Sequence, residues 1–160
     1  MGYVHNTHMA KQVPLSDIIS TVGTWTLAVA SNLWSLNKTA ADNTSVLCIP
    51  LEVPQNSEIG AGSIINSVVI SYSVATDVLT DMTASAYKTT INAEGTAPTV
   101  AQVNSSATFG KTIDDHTVSV ELGIEYPKEN EMINLEVTID ATATAVVKIT
   151  GVMINYTLRV

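Results

Sequence analysis

Ile64-Ile65-Asn66-Ser67-Val68-Val69-Ile70-Ser71-Tyr72-Ser73-Val74 is the stretch on which the fold turns. Val68, Ile70, Tyr72 and Val74 alternate with Ser67, Ser71 and Ser73. A period of two sends successive side chains to opposite sides of an extended strand, so one face is made for a core and the other for water. The same polarity pattern returns in Ile149-Thr150-Gly151-Val152-Met153-Ile154-Asn155-Tyr156-Thr157-Leu158, which matches residues 65–74 at nearly every position. That separation is too large for a solenoid repeat. Two long matched strands suit neighbouring places in the middle of one sheet, as the early and final strands of a jelly roll are.

Outward from these two segments the chain reads as short strands punctuated by turns, with no helical periodicity. Candidate strands lie at 25–29, 33–36, 44–53, 82–91, 99–103, 116–124, 132–139 and 146–160. Pro50 interrupts the third of these and places its end at a sheet edge or bulge. Ala41-Asp42-Asn43, Pro54-Gln55-Asn56-Ser57, Gly60-Ala61-Gly62 and Gly95-Thr96-Ala97-Pro98 supply turns. Residues 125–131, the most charged run, read as a solvated loop. The expected fold is all-β: an antiparallel β-sandwich in the form of an eight-stranded jelly roll with an N-terminal arm. An immunoglobulin-like sandwich is the rival, with fewer strands and shorter links.

Residues 23–160 form the expected sandwich and residues 1–22 the arm. Val13, Pro14, Leu15, Ile18, Ile19 and Val22 make the arm apolar yet lie outside the regular strand series, and Ser16 is placed to cap a short helix there. Such an arm either docks on a neighbouring subunit or covers one end of its own sandwich. His8-Met9 resembles a cloning remnant, which would make Met9 the natural start and residues 1–8 foreign.

Composition narrows the function. The chain has 160 residues, enough for one core. Hydrophobic residues make up 46% and charged residues 14%, too apolar and too weakly charged for disorder. The polar surface must therefore come from Thr, Ser, Asn and Ala, a neutral surface suited to protein contacts. Seven Lys and Arg against fifteen Asp and Glu give a formal charge of -8, with Arg159 the sole arginine. Nucleic-acid binding needs clustered cations, so that class is set aside. No apolar run reaches about 18 residues, which excludes a membrane-spanning helix, and residues 1–13 lack the apolar stretch of a secretory signal. Cys48, the single cysteine, reads as a small buried hydrophobe between Leu47 and Ile49.

Few residues suggest chemistry. His5 and His8 stand three apart without a third ligand nearby. Asp114-Asp115-His116 is the one cluster with an acid–base look, and it reads better as a turn before a strand. Asp77, Asp81 and Asp42-Asn43 lack the spacing of a calcium loop. No nucleophile elbow, phosphate loop or dinucleotide fingerprint occurs. The expectation is thus no catalytic residue, metal or cofactor. Trp34, Tyr87 and Tyr126 are candidates for stacking a sugar, and Tyr72 and Tyr156 read as core. A carbohydrate-binding reading turns on whether Trp34 faces outward.

A Thr/Ser/Ala-rich antiparallel sandwich with an apolar arm and no site chemistry resembles the small jelly-roll structural proteins of phage and virus particles, of the decoration, small-capsid or spike-head type. The resemblance covers the architecture of residues 24–160 and no diagnostic motif. It implies a non-enzymatic subunit that self-associates through sandwich faces and the arm. It also implies a homo-oligomer, with a trimer among the options, that meets other particle proteins in a virion or extracellular particle. The alternatives are a carbohydrate- or receptor-binding module and a subunit of a non-viral extracellular filament or tube.

Overall fold

The computed structural model describes residues 5–38, 43–55, 62–103, 105–125 and 127–159. The strands are β1 (Asn6–Gln12), β2 (Ile19–Val22), β3 (Trp25–Ala30), β4 (Leu33–Lys38), β5 (Thr44–Pro50), β6 (Gly62–Ala75), β7 (Leu79–Thr90), β8 (Thr99–Val103), β9 (Ser105–Ser106), β10 (Asp114–Glu125), β11 (Glu131–Ala141) and β12 (Val146–Arg159). One sheet runs β3-β4-β12-β6-β10-β9, with β1 also on β12; the other runs β2-β5-β11-β7-β8. All pairings are antiparallel. Without β1, β2, β3 and β9, the orders reduce to β4-β12-β6-β10 facing β5-β11-β7-β8. This is the expected jelly roll: strands four to seven alternate between sheets, and the returning strands slot between them.

The matched segments do lie side by side. Tyr72 faces Ile149, Ile70 faces Val152, Val68 faces Ile154 and Ile65 faces Tyr156. The register slips once at Thr150 on β12 and once at Asn66 on β6, and these two residues hold equivalent places in the matched segments. Each slip is a bulge that admits one extra residue and sharpens the local twist. The Thr150 hydroxyl donates to the Ser71 carbonyl at 3.2 Å, and the Asn66 amide donates to Thr157 Oγ1 at 3.0 Å.

The core lies between the sheets and follows the alternation. Ile65, Val68, Ile70, Val120, Leu135, Ile139, Val147 and Ile154 are fully buried, and Tyr72 and Tyr156 join them as expected. Tyr72 donates its phenolic hydrogen to the Gly110 carbonyl at 2.7 Å, which satisfies a polar tip in an apolar setting. Burial pushes that phenol above its ordinary pKa.

Residues 6–22 take the second of the two courses open to the arm and are built into their own sandwich. β1 adds to β12, β2 adds to β5, and the linking turn seals one end of the core with Val13 and Ile18, both buried. The cause is an open flank on β12, whose backbone groups β1 satisfies over seven residues. The expected helix is a single 3-10 turn at Leu15–Asp17, preceded by Pro14 and not capped by Ser16. Ile19 and Val22 remain exposed on β2.

Two further expectations are corrected. Cys48 lies on the outer face of β5, half-buried, because its neighbours Leu47 and Ile49 take the core positions. Burial, and then the Glu136 carboxylate across the strand pair, raise its thiol pKa, so no reactive thiolate is favoured. The run 125–131 is not wholly solvated either, since Glu131 is buried at the start of β11. Its Oε1 lies 3.0 Å from Lys88 Nζ, and its Oε2 accepts the Lys128 backbone N–H at 3.0 Å.

Burial alone would raise the Glu131 carboxyl, but the Lys128 amide and the Lys88 ammonium outweigh it and hold the pKa below its ordinary value. A carboxylate depressed in the folded state contributes stability that is complete above its unfolded pKa, about 4.3 for Glu. The contribution is lost as pH falls from there through the folded pKa. Urea midpoints measured from pH 7 to pH 3 should fall more steeply below about pH 4.3 for the native chain than for Glu131→Gln. Parallel curves would remove Glu131 from the acid response.

Candidate functional site

The most distinctive surface lies where β12 loses its flanking strand. β4 pairs with β12 only at Lys148 and Ile149, and β1 takes over at Met153. Between them the Val152 carbonyl accepts the Val13 N–H at 2.9 Å, and the bulge at Thr150 opens the strand path. The result is a cleft of about 680 Å³. Gln12, Val13, Pro14 and Leu15 form one wall, Trp34 the other, and Val69, Ser71, Thr150, Gly151 and Met153 lie along its floor.

Trp34 owes its position to the hairpin. Ser31 and Asn32 both have positive φ, 51° and 66°, and join β3 to β4 in the tight two-residue turn that suits the twist of paired strands. Leu36, on the same face as Trp34, is buried against the sandwich. Two residues further out the strand has left β12, so the indole stands 58% exposed. A second depression of about 350 Å³, lined by Pro14, Leu15, Ser16, Leu27 and Trp34, adjoins the same ring. Among the described residues none lining either depression has a charged side chain, and the side chains offer one amide, three hydroxyls and an indole. That is a site for a neutral ligand with both hydroxyls and an apolar face.

The other stacking candidates do not join Trp34. Tyr87 is half-buried on β7, opposite Asn134 and Gln102 in the other sheet. Tyr126 lies outside the described residues. Gln12, Ser71 and Thr150 were not singled out from sequence, because their convergence depends on the split flank of β12. The weak signal that pointed to it is Thr150-Gly151, small residues inside an otherwise regular strand.

The residues with a chemical look are placed as follows. His8 Nδ1 lies 3.0 Å from Thr157 Oγ1 in the β1–β12 pair. Asp114 Oδ1 accepts the Asp115 backbone N–H at 2.8 Å, and both residues belong to the start of β10 instead of a turn. The His116 ring lies 5.2 Å from Tyr72 and places Nε2 2.9 Å from the Thr112 carbonyl. Asp77 accepts from Thr142 at 2.7 Å, from the Val78 amide at 2.9 Å and from Thr144 at 3.2 Å, bonds that lower its pKa. Asp81 pairs with Lys111 at 2.7 Å, which lowers its own. These carboxylates tie loops to strands. Asp42 lies outside the described residues.

His116 leaves no room beside Gly110: a methyl there would meet the imidazole at Nδ1 and Cε1. The ring has little freedom, held by Tyr72 and Thr112. Gly110→Ala is expected to destabilise by about 1–3 kcal/mol, and the loss should shrink in a His116→Ala background. A double-mutant cycle in urea measures the coupling, and additive losses would show that the ring is not what the methyl meets.

No protein-family model matches the chain, and no curated protein matches it. Similar solved structures include a family two carbohydrate esterase from Cellvibrio japonicus, at 10% identity and a TM-score of 0.45. That match covers 98% of this chain and 36% of the esterase, so the chain spans about a third of that protein. A second is TmCBM61, solved in complex with beta-1,4-galactotriose, at 13% identity and a TM-score of 0.36, covering 96% of this chain and 88% of the other. A third is the low-affinity xylan-binding module CBM86 from Roseburia intestinalis, at 14% identity and a TM-score of 0.36, covering 92% and 94%. Identities of this size leave the cleft to be read from its own residues.

Proposed function

We propose that this chain is a non-enzymatic carbohydrate-binding module that holds a neutral glycan in the cleft beside Trp34. The observation that carries the reading is the exposed indole at the wall of a cleft of ligand size. A pyranose presents an apolar face of C–H groups and a rim of hydroxyls. The indole matches the first, and Gln12, Ser71 and Thr150 match the second. An uncharged lining favours neutral sugars over uronates, whose carboxylates would find no cation there. The test is retention of the chain on immobilised neutral polysaccharides, repeated with Trp34→Ala. Retention that survives the substitution would remove Trp34 from binding, and no retention on any neutral glycan would remove the reading.

A structural subunit of a virus, phage or other extracellular particle is the second reading, favoured by the apolar side chains exposed on the β3–β4 hairpin. Electron microscopy of the purified chain separates the two. Shells, rings or filaments favour the particle, and dispersed small particles favour the module.

A further inference from the structure

Five strands keep one side unpaired among the described residues: β1, β3 and β9 in one sheet, β2 and β8 in the other. A free edge exposes a row of backbone donors and acceptors that another strand can take up, and proteins blunt such edges with charge, proline, bulges or shortness. β9 has two residues and β2 has four with a break in its register. β1 carries Lys11, 3.4 Å from Glu52. None of these devices protects β3, since residues 18–37 contain no charged side chain and no proline. β8 also lacks charge, but it is shorter and carries the polar Gln102 between Ala101 and Val103.

β3 differs from β8 in a second respect. Its hairpin gathers Leu27, Val29, Leu33 and Trp34, exposed at 39%, 53%, 55% and 58%. Surface apolar residues are ordinary when scattered and informative when they cluster. Leu27 and Val29 lie on β3 itself, the one long edge that has no protection, and Trp34 faces Val29 from β4.

We propose that β3 is the interface of a homodimer, in which β3 pairs antiparallel with β3 of a second copy of this chain. The spacing of its side chains makes the strand its own complement. Trp25, Leu27 and Val29 share one face, as their partners Lys38, Leu36 and Trp34 on β4 show. A two-fold axis at Leu27 sets Leu27 against its own copy and Trp25 against Val29 of the other chain, which gives an unbroken apolar row across the junction. Thr26, Ala28 and Ala30 occupy the opposite face and are small enough for close approach. Such an interface is isologous and closes at two copies. A chain of formal charge -8 repels its copy, and this charge-free segment is where that repulsion is least.

The dimer would join two sheets into one and set both Trp34 clefts on one molecule, about 20 Å apart by strand geometry. A glycan chain long enough to reach both would then bind with the gain of effective concentration. The interface stands or falls independently of the glycan.

Sedimentation velocity of the full chain over a concentration series tests the proposal, with circular dichroism confirming that each variant is folded. The native chain should sediment as a dimer. Leu27→Lys sets two ammonium groups face to face at the axis, and Val29→Lys charges the same row. Each should raise the dissociation constant about 100-fold or more. Val100→Lys on the β8 edge should leave the dimer intact. A native chain that is monomeric up to about 1 mM overturns the proposal. So does a dimer that survives both lysine substitutions in β3, or one that is lost only with Val100→Lys.

Discussion

Replacing Ile70 with alanine is expected to lower the free energy of unfolding by about 3–4 kcal/mol, and Ile154→Ala by nearly the same amount. Both side chains are fully buried at the centre of the β6–β12 pair. They also occupy the same place in the two matched segments. Antiparallel neighbours with matched sequences are related by an approximate local two-fold, so each isoleucine packs beside a valine of the other strand: Ile70 by Val152, and Ile154 by Val68. Against a total stability of about 5–15 kcal/mol, either loss is large. Val69→Ala, on the half-buried outer face of β6, should cost less than about 1 kcal/mol. Urea unfolding monitored by circular dichroism supplies all three numbers. A full cost at Ile70 with almost none at Ile154 would show that the matched segments are not packed alike, and the double variant should deviate from additivity because the sites are neighbours.

The matched pair also explains how much of this fold was legible. Residues 64–74 and 146–159 alternate, apart from the bulges at Asn66 and Thr150, because one side of each strand is sealed by the opposite sheet, and that alternation placed β6 beside β12. The strands of β10 and β11 announced themselves in the same way. β1 did not, because all but one of its residues are exposed and its place is set by backbone pairing with β12, which leaves no hydrophobic period to read. The apolar residues at 13–22 were visible as a group, but sequence alone does not say whether a core they seal belongs to their own chain or to a neighbour. Cys48 and Glu131 were misjudged for a related reason. A run of apolar neighbours hides which alternate residue points inward, and a charged run hides the one carboxylate that the fold buries against Lys88.

The candidate site was legible only at its aromatic. Trp34 stood out as a tryptophan in a chain with 5% aromatics. Gln12, Ser71 and Thr150 come from β1, β6 and β12, so their meeting depends on where β4 ends and β1 begins along one strand. Tyr87 belonged to the same class of residue and still lies in the other sheet. A stacking residue is thus readable by type, whereas the hydroxyls that orient a sugar are common residues made special by topology.

Trp34→Ala should weaken binding of a retained neutral glycan by about 30-fold, equivalent to about 2 kcal/mol, the loss typical of a dominant contact residue. Among the described residues the indole supplies the one broad apolar plane of the cleft, and no other aromatic lines it. Trp34→Phe keeps a smaller plane and should recover part of the affinity. Gln12→Ala removes an amide from the opposite wall and should cost about 1 kcal/mol, a factor of about 5. Tyr87→Ala, in the other sheet, should leave binding unchanged. Because Trp34 is more than half exposed, its loss should change folding stability by no more than about 1 kcal/mol. Isothermal titration with a soluble oligosaccharide of the retained polysaccharide, beside urea unfolding of the same variants, distinguishes lost contact from lost fold. Equal affinity in Trp34→Ala and the native chain, with Tyr87→Ala impaired, would move the binding surface to the other sheet and end the case for this cleft.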